Sequence, residues 1–306
     1  GWELSVNWRD QIGKVGYRVG FNLSDSQSKI VKYNSNESGI LTSTLSNGST
    51  FWNYYEGKDL GEIWGYEYDG FYTVDDFTDT SSWKLKEGVP SIDGYNPRPG
   101  DVKFKNLKDD DRGTNMISSG DNTVSNPGDR KVIGNNTPRY LYGITLGANF
   151  KGFDLNVFMQ GTGKRDAWIA NNLKFPLYSD FKFIALYKDL GNYWKPVDAA
   201  NGDYTAANPN AEFPRIYGNY GNQGSNYRQS DKYLSDASYF RIKNVTLSYT
   251  FPKAWITKAS LSQLKAFVSI ENLATFSSLP KGIDPETLSW NYPAFRTVSF
   301  GLNVTL

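Results

Sequence analysis

Residues 139–161 read RYLYGITLGANFKGFDLNVFMQG, and they contain two stretches in which apolar side chains alternate with polar or small ones. Apolar side chains occupy every second position from Tyr140 to Phe150, and again from Phe153 to Met159. Successive side chains of a strand point to opposite faces, so this period predicts two strands that each have one apolar face. Lys151 and Gly152 lie between the stretches and predict a tight hairpin that joins them.

Similar alternation recurs along the chain, at 2–9, 15–24, 244–251, 264–271 and 298–306, and more weakly at 60–72. The segments are about nine to eleven residues long, which is the length of a tilted strand that crosses a bilayer. Aromatic side chains lie near the ends of several apolar faces, as in the aromatic girdles of outer-membrane barrels. These aromatic residues are Trp2 and Trp8, Tyr140 and Phe150, and Tyr249 and Phe251.

The connections between the segments differ sharply in length. Residues 151–152 form a short turn, whereas residues 74–138 and 162–238 are very long and polar. Compact soluble domains rarely contain such loops, but outer-membrane barrels combine short periplasmic turns with long extracellular loops. We therefore predict an all-β fold, a transmembrane antiparallel β-barrel segment with long extracellular loops. A soluble β-sandwich shows the same alternation and stays as the alternative.

The composition excludes several classes of function. The chain has no Cys and no His, so it contains no disulfide, no thiolate nucleophile and no imidazole base or metal ligand. Its formal net charge of +1 argues against a nucleic-acid partner. Paired carboxylates such as Asp75 and Asp76 lie in loops without the hydrophobic surroundings that acid–base catalysis by a carboxyl pair requires. We therefore predict that the chain is not an enzyme.

A series of short stretches in the chain resembles, in order, the C-terminal part of SusC/RagA-type TonB-dependent outer-membrane transporters. The stretches are GWELSVNWR (1–9), GFNLSD (20–25), LGEIWGYEYDGF (60–71), PGDVKF (99–104), DRKVIGN (129–135), PRYLYG (138–143), KGFDLNVFMQG (151–161), FRIKNVTLSYTFP (240–252), SIENL (269–273) and GIDPE (282–286). The face that contains Phe300 and Leu302 resembles the C-terminal signal of outer-membrane proteins, although Leu306 stands where that signal usually has an aromatic residue.

The resemblance implies a single-chain barrel of about 22 strands that is closed by an N-terminal plug. Residues 1–306 would supply roughly the last eight to ten strands, and the plug and the N-terminal strands would be absent from this chain. Because an alternating segment starts directly after Gly1, we interpret the chain as one piece of a longer polypeptide.

The implied function is active import of oligosaccharides or peptides across the bacterial outer membrane. A SusD-like surface lipoprotein would be the partner, and TonB–ExbB–ExbD would act through the missing plug. The barrel would be embedded in the lipid bilayer with its long loops outside the cell. The alternative function is that of a soluble secreted glycan-binding β-sandwich.

Aromatic residues in the long loops are the candidates for contact with the substrate or with a partner protein. Aromatic faces stack on sugars or on peptide side chains, so the residue types fit either ligand. The candidates are Trp168, Tyr178, Tyr187, Tyr193, Trp194, Tyr204 and Trp290. Each of them has an alternative role, which is to pack the loops together. We expect the polar faces of the strands to point into the lumen; they include Asp154, Asn156, Gln160, Arg241, Lys265 and Glu271.

An acidic loop is the one candidate for a metal site. Asp109, Asp111 and Asp121 could supply oxygen ligands to Ca²⁺, and the resemblance implies that many relatives have a calcium-like pattern after the Gly-Asp-Val-Lys motif. The spacing of an EF-hand loop, with its Gly and bidentate Glu, is absent here. We therefore predict no cofactor, with Ca²⁺ as the only candidate and a solvated acidic loop as the alternative.

Overall fold

A computed structural model describes the chain except for residues 47–49, 93, 109–114, 170–174, 176–187, 189–190, 218–224, 258–259 and 290–293. The chain divides into two compact units. The sheet unit consists of Gly1–Gln27, Thr137–Asp166 and Asp236–Leu306. The loop unit consists of Ser28–Asn136 and Ala167–Ser235.

The sheet unit is built on seven antiparallel strands, each paired with the next one along the chain. The strands are β1 (Trp2–Ile12), β2 (Val15–Asp25), β3 (Arg139–Phe150), β4 (Phe153–Lys164), β5 (Tyr239–Thr250), β6 (Gln263–Ser277) and β7 (Thr297–Thr305). A short helix, α1 (Lys253–Ile256), lies between β5 and β6. Among the described residues, no helix is long and apolar enough to cross a membrane. The seven strands coincide with the strongly alternating segments of the sequence, as predicted.

The register aligns side chains of one kind in rows that cross all of the strands. One apolar row contains, from β1 to β7, Trp8, Val19, Leu146, Val157, Val245, Ile270 and Val298. The next row is polar or small and contains Arg9, Arg18, Gly147, Asn156, Thr246, Ser269 and Ser299. Neighbouring rows point to opposite faces of the sheet. The sheet therefore has one apolar face and one largely polar face.

The apolar face of the sheet is exposed. Leu146 is 38% exposed, Trp8 60% and Phe300 81%, whereas Val157, Val245 and Ile270 are half-buried. In a soluble β-sandwich, the apolar face of one sheet packs on the apolar face of another and is buried. A large exposed apolar surface on a folded protein marks contact with a membrane or a partner. This face therefore fits the predicted contact with lipid.

The sheet has fewer strands than the roughly eight to ten that the resemblance implied, because the segment at 60–72 is not part of it. Glu62–Tyr66 pairs with Arg130–Asn135, and Tyr68–Phe71 pairs with Val102–Phe104, all within the loop unit. The physical reason is burial on both faces, since consecutive residues from Ile63 to Tyr66 are buried. A strand that is buried on both faces need not alternate, which accounts for the weak pattern of this segment.

The long loops fold together with residues 28–73 into the loop unit, which has its own hydrophobic core. The buried core residues are Tyr66, Ile92, Val102, Phe104, Ile117, Phe175, Phe213, Tyr227 and Tyr233. A second, smaller cluster contains Leu41, Tyr55 and Trp64. The segments at 74–138 and 162–238 are therefore not simply polar connections, because both contribute aromatic and aliphatic side chains to this core.

Short elements complete the described part of the chain. Antiparallel pairs join Thr42–Thr44 with Thr50–Trp52 and Pro196–Asp198 with Asp203–Ala206, and a parallel pair joins Ser91–Ile92 with Met116–Ile117. Asp166–Trp168 pairs with Leu234–Asp236. Single 3₁₀ turns are formed by Asn34–Asn36, Val74–Asp76, Ala199–Asn201 and Asp231–Tyr233.

On the polar face, Arg18 crosses the neighbouring strand to reach β4. Its guanidinium donates to Asn156, and Nη1 lies 3.7 Å from Asp154 Oδ2. Gly147 is aligned between Arg18 and Asn156, and a Cβ there would collide with the Arg18 side chain. A glycine in this row therefore makes room for a polar contact between β2 and β4.

Arg241 binds the GIDPE segment to the polar face of the sheet. Only 2% of its side chain is exposed; Nη2 lies 2.8 Å from Asp284 Oδ2, and Nη1 lies 2.9 Å from Glu286 Oε1. Gln160 Nε2 also donates to Glu286, at 2.7 Å. Two of the predicted lumen-facing residues thus hold a loop of their own unit. That the polar face points into a lumen stays a prediction.

Replacement of Arg241 by Met tests this contact. The change leaves the carboxylates of Asp284 and Glu286 without their buried cation, so we expect the free energy of local opening of residues 278–289 to fall by about 3–5 kcal/mol. Hydrogen–deuterium exchange of the full transporter in detergent measures this opening.

Lys243→Met is the matched control, since Lys243 is on the same strand and contacts the same Glu286, at 3.3 Å, but is 35% exposed. An exposed pair contributes about 0–1 kcal/mol. Equal effects of the two substitutions would contradict the role of Arg241.

Candidate functional site: an aromatic cavity in the loop unit

The loop unit contains a cavity of about 490 Å³. Small-molecule sites generally have volumes of about 300–1,000 Å³, so this one is large enough for a small ligand. Aromatic and arginine side chains dominate its lining. The lining residues are Trp83, Gly94, Tyr95, Asn96, Arg98, Tyr204, Arg215 and Tyr217.

A buried carboxyl group, that of Asp101, fixes two of the aromatic walls. Asp101 is fully buried. Its Oδ2 accepts hydrogen bonds from the hydroxyl groups of Tyr95, at 2.9 Å, and Tyr217, at 2.5 Å, and from the backbone N–H of Arg98, at 2.7 Å. Its Oδ1 accepts from Asn226 Nδ2 at 3.0 Å. Segments that are more than 100 residues apart in sequence are therefore joined at one carboxyl group.

Burial dominates the ionisation of this cluster. It raises the pKa of Asp101 above its ordinary value, although hydrogen bonds from Tyr217 and Asn226 act in the opposite direction. Burial and the nearby Asp101 also raise the pKa of Tyr95 and of Tyr217. Both phenols thus keep their protons and donate to the carboxyl group.

Gly100 allows close packing beside the cavity. Its φ is +89°, a conformation that favours glycine, and a Cβ at this position would collide with the ring of Trp194. Its carbonyl oxygen accepts a hydrogen bond from the backbone N–H of Arg215, at 2.8 Å. The PGDVKF motif therefore brings the segment with Trp194 and Arg215 against Asp101, which explains why the motif has Gly followed by Asp.

Another part of the lining belongs to a series of aromatic rings that meet edge to face. Trp83 has a φ of +54°, which is rare for a bulky residue. Its ring meets Tyr204 edge to face at 4.8 Å and Phe77 edge to face at 5.3 Å, between centroids. The guanidinium carbon of Arg98 lies 5.9 Å from the centroid of Trp83. These contacts hold the Trp83 ring at the edge of the cavity.

A second guanidinium lies over another ring of the lining. The guanidinium carbon of Arg215 is 4.6 Å from the ring centroid of Tyr217. Each arginine of the cavity thus lies over an aromatic ring of the lining, an arrangement that favours a guanidinium over an ammonium group.

The structure brings one of the predicted contact residues, Tyr204, to this cavity. Trp168 is half-buried and packs near Phe175, at 5.7 Å between centroids. Tyr193 packs against the same core. Trp194 is buried on Gly100. All three thus pack within the loop unit, and their contact with a substrate or partner stays a prediction. Tyr178, Tyr187 and Trp290 lie outside the described residues.

The acidic candidates for Ca²⁺ are only partly described. Asp109 and Asp111 lie outside the described residues, so their role stays a prediction. Asp121 is exposed, and its Oδ1 accepts from the hydroxyl of Thr123 at 2.6 Å, a hydrogen bond that lowers the pKa of Asp121. Within the described ranges, no three acidic side chains converge as a bound cation would require.

Several residues of the cavity were not among the sequence candidates. They are Trp83, Tyr95, Arg98, Arg215 and Tyr217. Arg98 immediately precedes the PGDVKF motif, and this proximity is the one signal in the sequence that pointed to it. The contact of Asp101 with Tyr217 joins two distant loops, and no local spacing predicts such a contact.

The chain is similar to known proteins along its whole length. No family profile matches the chain. TonB-dependent receptor P3 of Formosa agariphila is 28% identical to it over 99% of the chain and 28% of the receptor. Receptors P26 and P39 of the same organism are each 22% identical, over 100% and 99% of the chain. The chain thus spans less than a third of these relatives' length.

The fold matches solved structures of one transporter. The RagAB peptide transporter superimposes with a TM-score of 0.62 over 99% of this chain and 28% of the matched one, at 19% identity. The closed-closed state of the RagAB peptide importer gives a TM-score of 0.64 at 18% identity. These similarities confirm the resemblance to SusC/RagA-type TonB-dependent transporters.

Substitution of Gly100 by Ala tests the packing beside the cavity. We expect a loss of about 1–2 kcal/mol from the left-handed backbone and of about 1–3 kcal/mol from overpacking against Trp194. Faster hydrogen exchange at residues 193–217 reports this loss.

Gly88→Ala is the control for the backbone effect alone. Gly88 has a φ of +83°, and a Cβ there has nothing within 4 Å. If Gly88→Ala speeds exchange as much as Gly100→Ala does, the collision with Trp194 is not the cause.

Proposed function

We propose that this chain is the C-terminal part of the wall of a TonB-dependent outer-membrane importer. The apolar face of the sheet unit would contact lipid, and the loop unit would meet the solute outside the cell. The observation that carries the proposal is the set of apolar rows that continue across all seven strands and whose side chains are exposed or partly exposed. The similarity to TonB-dependent receptors, which extends along 99–100% of this chain, supports it.

The edges of the sheet fit a role as one arc of a larger barrel. Among the described strands, β1 and β7 each have one neighbour. An edge strand presents unpaired backbone groups, which cannot remain unpaired in hydrocarbon. We propose that strands from the remainder of the transporter pair with β1 and β7. A barrel of about 22 strands needs a plug to close its lumen, and we place that plug outside this chain.

The assignment to a TonB-dependent importer also implies an energy source for transport and partner proteins. We propose that TonB–ExbB–ExbD opens a passage by acting on the plug, and that a SusD-like lipoprotein holds the solute over the loop unit. The relatives are named receptors and transporters, and the matched structures are of a peptide importer. No bond is made or broken in such a cycle, so the residues of this chain have binding and structural roles.

The exposed apolar face weighs against the alternative of a soluble sandwich. In water, about 25 cal/mol would be lost for each Å² of apolar surface left uncovered. The apolar rows of this sheet span seven strands. A soluble protein with this surface would aggregate.

A pair of substitutions on adjacent residues tests the lipid contact. Leu146 and Thr145 are both near the middle of β3 and point to opposite faces. We expect Leu146→Arg to cost about 2–4 kcal/mol of barrel stability, since the charge would face hydrocarbon near the bilayer midplane. Thr145→Arg places the same charge on the polar face, and we expect a much smaller effect. Equal losses in urea unfolding from bilayers would contradict the assignment of the faces.

Uptake by intact cells tests the import function. We expect a strain that lacks the full-length transporter to lose uptake of fluorescent oligosaccharides or peptides that the parent strain imports. A protonophore should abolish the same uptake in the parent, because TonB-dependent import uses the proton gradient. Transporter-dependent uptake that continues with the protonophore would contradict the proposal.

A further inference from the structure

We propose that the aromatic cavity is a binding site for an acidic sugar, that is, a saccharide ring that bears a carboxylate or a sulfate group. The binding site stands on the geometry of the cavity alone. Its role in the selection of cargo rests on the proposed import function.

The charge of the lining is the first argument. Arg98 and Arg215 line the cavity, and the described residues of the lining include no Asp or Glu. Among the ion pairs of the described residues, none involves either arginine. The nearest carboxyl group of the cluster, that of Asp101, is fully buried and takes its hydrogen bonds from Tyr95, Tyr217 and other donors. Arg98 Nη1 donates to the carbonyl oxygen of Pro97, at 3.1 Å. The other donors of Arg98 and the guanidinium of Arg215 are available to an anion.

The hydrogen-bonding geometry of a guanidinium group indicates which class of anion the cavity would bind. Its planar fork of N–H donors matches the paired oxygens of a carboxylate or a sulfate, and such charge-assisted hydrogen bonds are the strong ones. Arg215 is already oriented over the ring of Tyr217, and Arg98 lies near the ring of Trp83. Less side-chain freedom is lost when an oriented group binds, so the cavity is suited to an anionic ligand.

The aromatic walls indicate that the anion belongs to a sugar. Four rings line the cavity, from Trp83, Tyr95, Tyr204 and Tyr217. Flat rings offer apolar faces to the C–H side of a sugar, and the amide of Asn96 can bond a hydroxyl group. The described part of the lining contains no aliphatic side chain that would form a pocket for a peptide side chain. We therefore favour a saccharide over an acidic peptide.

The walls are held in place without a ligand. Phe77, Trp83 and Tyr204 form a series of edge-to-face contacts, and Trp83 adopts a left-handed backbone that is costly for a bulky residue. Asp101 holds the rings of Tyr95 and Tyr217 by accepting hydrogen bonds from their hydroxyl groups. A residue with a strained backbone in the lining of a preformed cavity is typical of a binding site.

Titration calorimetry on the full-length transporter, purified with its partner in detergent, tests the proposal. The probes are cellobiouronic acid, cellobiose 6-sulfate, neutral cellobiose and triglutamate. We expect at least one acidic disaccharide to bind at least tenfold more tightly than cellobiose, and the two acidic probes separate carboxylate from sulfate. We also expect the affinity to fall with added salt.

Variants assign the binding to this cavity. Arg98→Gln combined with Arg215→Gln should weaken acidic binding at least tenfold. The matched control is Lys84→Gln combined with Lys86→Gln, which removes two exposed charges of the same loop unit outside the lining and should leave binding unchanged. Should the arginine variant fail to fold, Tyr204→Ala, which keeps both charges, should weaken binding of the acidic and the neutral sugar alike.

Each contrary result overturns the proposal. No binding of either acidic disaccharide, equal binding of cellobiose, or tighter binding of triglutamate would each do so. Import is judged separately by uptake. If the arginine variant loses binding but cells still import the acidic sugar at the normal rate, the cavity is a binding site that does not select cargo for import. If uptake of other solutes requires the transporter while no acidic sugar binds, only the cavity proposal fails.

Discussion

The register of the seven-stranded sheet is the constraint on which the rest of the sheet unit depends. Side chains alternate between the faces with a period of two, so a shift of one residue in one strand would move its apolar set to the polar face. The rows stay continuous even where β4 and β5 contain irregularities, after Phe158 and after Ile242. The same register aligns Arg18, Gly147 and Asn156, which lets a polar contact form across β3.

The sequence predicted this sheet because its information is local. Every long strand shows the alternation within its own residues, and the hairpin at Lys151 and Gly152 fixes one register directly. The segment at 60–72 was harder, because its residues 63–66 are buried on both faces and it pairs with strands far along the chain. Local periodicity carries no signal for such a strand.

The cavity could be predicted only in part for a related reason. Tyr204 was expected as a contact residue from its aromatic loop, and it does line the cavity. The position of its neighbours depends on Asp101, which joins segments near residues 95, 217 and 226 through hydrogen bonds. Tertiary packing decides which distant tyrosine reaches a buried carboxyl group. The PGDVKF motif marks the position of Asp101 in the sequence but does not identify its partners.

The central claim is that the apolar rows face lipid, and the accessibility of single spin labels tests it most directly. The chain has no Cys, so single Cys substitutions in this part of the transporter can be labelled one at a time. In bilayers, labels at Val19, Val157 and Val245 should be accessible to oxygen and protected from a water-soluble nickel complex. Labels at Arg18, Asn156 and Thr246 should show the opposite. Equal access of the nickel complex to both sets would contradict the account.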